Sequence, residues 1–187
     1  GGASATNDPA LTLSLQPPVD AVTVQVAFDE AFQLSTQGPA APQVLVTIPT
    51  IGPEERTVRV WVRYRDVNGQ FVGPTLTETI IFDTLPPALG TVTFTQLDQI
   101  LVCTPTGPDI GGTNRTFLGF QIQVTLNEAG SGTAQFEIVD QTSTPTGWIS
   151  APGSFSLNAT PGKPLGIHTR DALGNVSALV AIVPPAA

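Results

Sequence analysis

The chain has 187 residues, a net charge of -8 and a pI near 4.3, with 18 Gly, 18 Pro and only 12% charged residues. That length suits one large domain or two modules of roughly 90 residues, each able to bury a core, and the Gly/Pro-rich composition favours an all-β fold with many turns. The acidic balance argues against a general affinity for nucleic acid or anionic membrane, and no apolar run approaches the roughly 20 residues of a membrane-spanning helix.

Met is absent, so a processed product or an excised piece is expected. The single cysteine, Cys103, forms no intrachain disulfide. In QILVC it reads as a small buried apolar residue, with an intermolecular disulfide as the alternative.

Taken in order, residues 4 to 9 are polar and turn-like. Leu11, Leu13 and Leu15 then alternate with Thr12, Ser14 and Gln16 as a first strand, which Pro17 and Pro18 end. Residues 21 to 28 (AVTVQVAF) and 44 to 48 predict two more strands. In Arg56 to Pro87, Val58, Val60, Val62 and Tyr64 alternate with Thr57, Arg59, Trp61, Arg63 and Arg65. A strand here presents an apolar row on one face and a cationic row with one Trp on the other. The turn DVNG follows, then a second apolar strand, and Pro86-Pro87 breaks the run.

After Pro87 the pattern starts again. AVTVQVAFDEA at 21 to 31 resembles GFQIQVTLNEA at 119 to 129; Arg65-Asp66-x-x-Gly69 matches Arg170-Asp171-x-x-Gly174, and each copy ends in Pro-Pro. Two copies of one fold are expected, 1–87 and 88–187. In the second copy strands are expected at 91 to 94, 100 to 103, 117 to 126, 134 to 139, 155 to 157, 165 to 169 and 176 to 183, which fits a Greek-key sandwich. The Trp-Arg row has no counterpart in the second copy's sequence.

The run TVRVWVRYRDVNG, continuing to TIIFDTLPP, resembles the closing half of bacterial Ig-like modules; IHTRDALGNVS carries the signature again, and TNDPALTLSL is similar to the start of such a module. The match is specific over only part of each copy. Gln70 replaces the motif's Asn, and the second copy lacks the Asp-Thr before its prolines. The resemblance implies two tandem Ig-like or fibronectin-III-like Greek-key β-sandwich domains of a secreted or cell-surface protein. Such modules act as stalks, spacers, adhesive units or polymer subunits.

Candidate chemistry is sparse. His168 is the only histidine, and its strand setting reads as a surface or edge residue. GGTNR at 111 to 115 lacks the strand-to-helix context of a phosphate loop, and no cofactor is expected. Asp66, Asn68 and Asp83 offer oxygen ligands to calcium, although in a β-turn the same side chains simply bond their own backbone. Three glycosylation sequons begin at Asn114, Asn158 and Asn175, the last also explained by the turn.

Arg59, Trp61, Arg63 and Arg65 read either as a solvated face whose arginines cover the indole or as a subunit interface meeting an acidic neighbour. The strand of Leu11, Leu13 and Leu15 pairs within its own module, or else completes the sheet of an adjacent subunit as in pilus-like polymers.

These residues lead to an expectation of a non-enzymatic structural subunit of an extracellular assembly: a filament, pilus-like fibre or surface layer. Its partners are copies of itself or neighbouring surface proteins. The alternatives are a virion structural or decoration protein, and an adhesive module that binds glycan through Trp61 or Trp148.

Overall fold

Every regular element among the described residues is a strand. The structure, a computed structural model, describes the backbone at 4–103, 115–140 and 144–186, with side chains at all of these except 98–103 and 115–118. The chain divides into two units, Gly1–Thr84 and Leu85–Ala187.

The first unit contains β1 (Ala5–Thr6), β2 (Ala10–Ser14), β3 (Thr23–Ala27), β4 (Ser35–Pro39), β5 (Gln43–Thr47), β6 (Glu55–Arg65) and β7 (Phe71–Asp83). Its larger sheet runs β1-β7-β6-β3-β4, with β1 parallel to β7, and β2 pairs with β5 in a smaller one. The alternation in β6 sets the layering. Val58, Val60, Val62 and Tyr64 are all buried, and their row packs with Val24 and Val26 against Leu11, Leu13, Val44 and Val46 of the small sheet and Leu15 just beyond it. Each such aliphatic side chain, once buried, contributes about 1.5–3 kcal/mol, so the two faces close as a sandwich.

Strand β7 has an interruption that its sequence explains. Val62 pairs with Leu76 but Tyr64 with Val72, so Gly73, Pro74 and Thr75 bulge opposite Arg63. Pro74 has no N–H for the ladder and Gly73 takes a positive φ of 71°, so the irregularity falls where these two residues stand together.

The second unit contains β8 (Ala88–Cys103), β9 (Arg115–Asn127), β10 (Ala134–Val139), β11 (Ile149–Ser150), β12 (Gly153–Ala159), β13 (Leu165–Asp171) and β14 (Val180–Ile182). Sheets β12-β9-β8 and β11-β10-β13-β14 face one another across Phe120, Ile122, Val124, Phe136, Ile138, Leu165 and Ile167. The two short strands expected at 91–94 and 100–103 are one strand, β8, whose pairing with β9 shifts register between Leu89 and Val92 and again between Gln96 and Ile100. The buried Thr169 hydroxyl donates to the Pro87 carbonyl at 2.6 Å and ties the unit's first residues to β13.

The topology corrects half of the internal repeat. Strand β3 pairs with β6, the strand of Arg65-Asp66, whereas the strand that pairs with β13, the strand of Arg170-Asp171, is β10. Strand β9 pairs instead with β8 and β12, in the opposite sheet. Matching residues 21–31 to 119–129 therefore aligns strands from different layers. Both are antiparallel strands with one buried face, and that shared pattern is what makes them look alike.

Candidate functional site

The outward face of β6 carries Arg59, Trp61, Arg63 and Arg65, as its alternation requires. Across the ladders, Arg59 stands opposite Thr79, Trp61 between Thr77 and Ala27, Arg63 opposite Gln25, and Arg65 between Phe71 and Thr23. The arginines lie on aromatic rings. Arg63 Cζ is 3.8 Å from the Phe32 ring centroid and 4.7 Å from that of Phe71, Arg65 is 4.1 Å from Phe71, and Arg59 is 5.7 Å from Trp61. Arg63 Nε also donates to Gln25 Oε1 at 2.8 Å, and Arg65 Nη1 to the Gly69 carbonyl at 2.7 Å. Each stack contributes about 1 kcal/mol, and the hydrogen bonds fix the planes.

The loop from β3 to β4 makes this arrangement. Phe32 is buried at 8% exposure although its φ is +55°, a conformation that costs a bulky L-residue about 1–3 kcal/mol. Asp29 holds it there. The Asp29 carbonyl accepts from Phe32 N–H at 3.2 Å, and its carboxylate oxygens accept from Gln33 N–H at 2.9 Å and Leu34 N–H at 3.0 Å. The Gln33 and then the Leu34 hydrogen bond hold the Asp29 carboxyl below its ordinary value. Ala27, which stands on this outward face, is 0% exposed, so the face is covered near the loop and open toward Arg59.

The Trp-Arg device, expected only in the first copy, has a counterpart. Arg170 of β13 lies 4.3 Å from the Trp148 ring, and its Nε donates to Gln135 of β10 at 2.8 Å. Gln25 and Gln135 thus play one role from equivalent strands. The aromatic partner comes from a different stretch in each unit, which is why sequence comparison misses it.

The other expected sites lie apart from this face. Leu11, Leu13 and Leu15 lie within their own unit: β2 pairs with β5 from Ala10↔Thr47 to Ser14↔Gln43, and the leucines pack on that unit's core. The calcium set is also separated. Asp66 precedes the hairpin turn while Asp83 ends β7 opposite Glu55, and the strand between them spans on the order of 40 Å. The Asp66 carboxylate instead accepts from the N–H groups of Asn68 and Gln70, at 2.9 and 2.8 Å.

Asp171 does the same in the second unit. One of its oxygens accepts from Asn175 N–H at 2.8 Å and the other from the Asn175 amide at 2.6 Å. That bond ties the Asn175 side chain into the turn. Asn158 is exposed on β12, and Asn114 lies outside the described residues.

His168 is half-buried on β13, opposite Glu137 of β10 and just past the β14 pairing, with Nδ1 3.0 Å from the Ser177 carbonyl oxygen. The side chain of Cys103 and the GGTN stretch lie outside the described residues. One pair was missed by sequence reasoning: carboxylate oxygens of Glu128 and Asp171 come within 4.8 Å of each other. Glu128 caps its own loop, accepting from Gly130 and Ser131 N–H at 2.9 and 2.8 Å.

No protein-family model matches the chain, and no curated protein matches it.

Proposed function

We propose that the chain is a non-enzymatic structural subunit of an extracellular assembly, built from two modules of the Ig-like or fibronectin-III-like kind. The observation that carries this reading is the construction common to both units. In each, an Arg-Asp-x-x-Gly turn follows an inner strand of the larger sheet, and its Asp carboxylate is engaged by backbone N–H groups two or four residues on. Gly69 and Gly174 close the two turns at positive φ, 78° and 88°. Seven strands in two facing sheets, as in the second unit, suit a spacer or stalk module.

The side chains with catalytic chemistry support the same reading. Asp66, Asp171 and Glu128 each cap a backbone loop, and His168 faces a backbone carbonyl. Negative-stain microscopy of the purified chain, with sedimentation velocity, tests the proposal. Fibres or sheets are expected. Closed particles would favour the virion alternative, and dispersed monomers at every concentration would overturn the assembly reading.

A further inference from the structure

The β6 face of the first unit has properties that a spacer does not require. Arg59, Arg63 and Arg65 are three of the seven cations of an acidic chain. They alternate on one strand, so their positions recur about every 7 Å, with ~13 Å from Arg59 to Arg63. The ion pair seen among the described residues, Arg56 Nε to Glu54 at 2.8 Å, does not include them. Arg63 is clamped between two rings, one of them held in a strained conformation, and the bond to Gln25 uses its Nε and so does not consume its Nη donors. A guanidinium fixed in this way is prepared for bidentate recognition of a carboxylate. Trp61 stands between Arg59 and Arg63, with Thr77 and Thr79 across the ladder, an aromatic plate beside hydroxyl groups and flanked by cations.

We propose that this face binds a linear, carboxylate-bearing polysaccharide lying along β6. Trp61 stacks on a sugar ring, Arg59 and Arg63 pair with carboxylates on either side of it, and Thr77 and Thr79 meet ring hydroxyls. Gln25 and Phe32 are positioning residues that act through Arg63. A strand presents its groups in a line, which suits a stiff polymer whose charges recur along it. A second copy of this chain fits less well, because no strand among the described residues carries two carboxylates on one face.

Isothermal titration of the full chain with polygalacturonate and alginate oligomers tests this, with neutral cellohexaose as the control. Expected is saturable, salt-weakened binding to the uronates that falls at least tenfold in Trp61→Ala and several-fold in Arg59→Gln, while Trp148→Ala binds as the parent does. Arg59 is exposed, so an unchanged melting temperature in Arg59→Gln separates lost contact from lost fold. Absence of saturable binding, equal binding by both variants, or equal affinity for cellohexaose overturns the proposal. So does self-association abolished by Arg59→Gln without uronate binding, which assigns the face to a second copy. The outcome is separable from the assembly reading: fibres without uronate binding, or monomers with it, leave one standing without the other.

Discussion

Tyr64 is 2% exposed in the core of the first unit, and its hydroxyl is buried with no hydrogen-bond partner. An unpartnered buried hydroxyl is unfavourable, so Tyr64→Phe is expected to stabilise the chain by about 1 kcal/mol in urea unfolding. Burial also raises the phenol above its ordinary value of 10.0. The unfolded chain then releases this proton at a lower pH than the folded chain does, so stability falls as pH rises above about 10. Tyr64 is the only tyrosine, so phenolate absorbance in an alkaline titration should rise together with unfolding. Tyr64→Phe should lose this component of the alkaline limb. Asp29 works in the opposite direction. Its carboxyl is held below 3.8, so its contribution is present above that value and is lost as pH falls through the depressed one. Asp29→Asn should lower the melting temperature at neutral pH and flatten its decline in acid.

At the scale of elements, the two Asp-capped turns are the same device in different surroundings. Asp171 is 3% exposed and bonds the Asn175 side chain as well as its backbone, whereas Asp66 bonds backbone alone and is half-buried. Asp171→Ala should therefore cost about 1–3 kcal/mol and Asp66→Ala about 1 kcal/mol, read as loss of hydrogen-exchange protection in β13 and β6. Strand β6 was legible because a period of two is written in four consecutive alternations, and β2 for the same reason. Strand β4 was not. Its residues, STQGP, have turn chemistry, and only pairing along β3 from Thr23↔Pro39 to Ala27↔Ser35 makes them a strand. Which strands become neighbours is likewise decided by the closing of two sheets, and this misled the alignment of β3 with β9. The cationic row at 59, 63 and 65 was readable on β6, but Phe32 beneath Arg63 was not. A phenylalanine at positive φ follows no local preference and is imposed by Asp29 and the stack above it.

For the whole molecule, charge governs association. With 15 acidic residues against 7 basic ones, repulsion opposes non-specific clumping of copies at neutral pH and vanishes near the pI of 4.3. Amorphous precipitation at low salt, followed by light scattering of the supernatant and pellet, should therefore peak close to that pH and fall away toward neutral pH, where only ordered assemblies persist. The pairing of β1 with β7 has a further consequence for the order in which the first unit forms. Ala5 meets Ile81, and Ile81 N–H donates to the Ser4 carbonyl at 3.0 Å, so residues at the start of the unit wait for its last strand. Closing so long a loop for a two-residue strand brings little return until β6 and β7 are already paired. On a ribosome the opening residues emerge first and dock last. The edge of β7 stays open through that interval, and the Ile81 amide should be among the last in the unit to gain protection in a pulse-labelled refolding experiment.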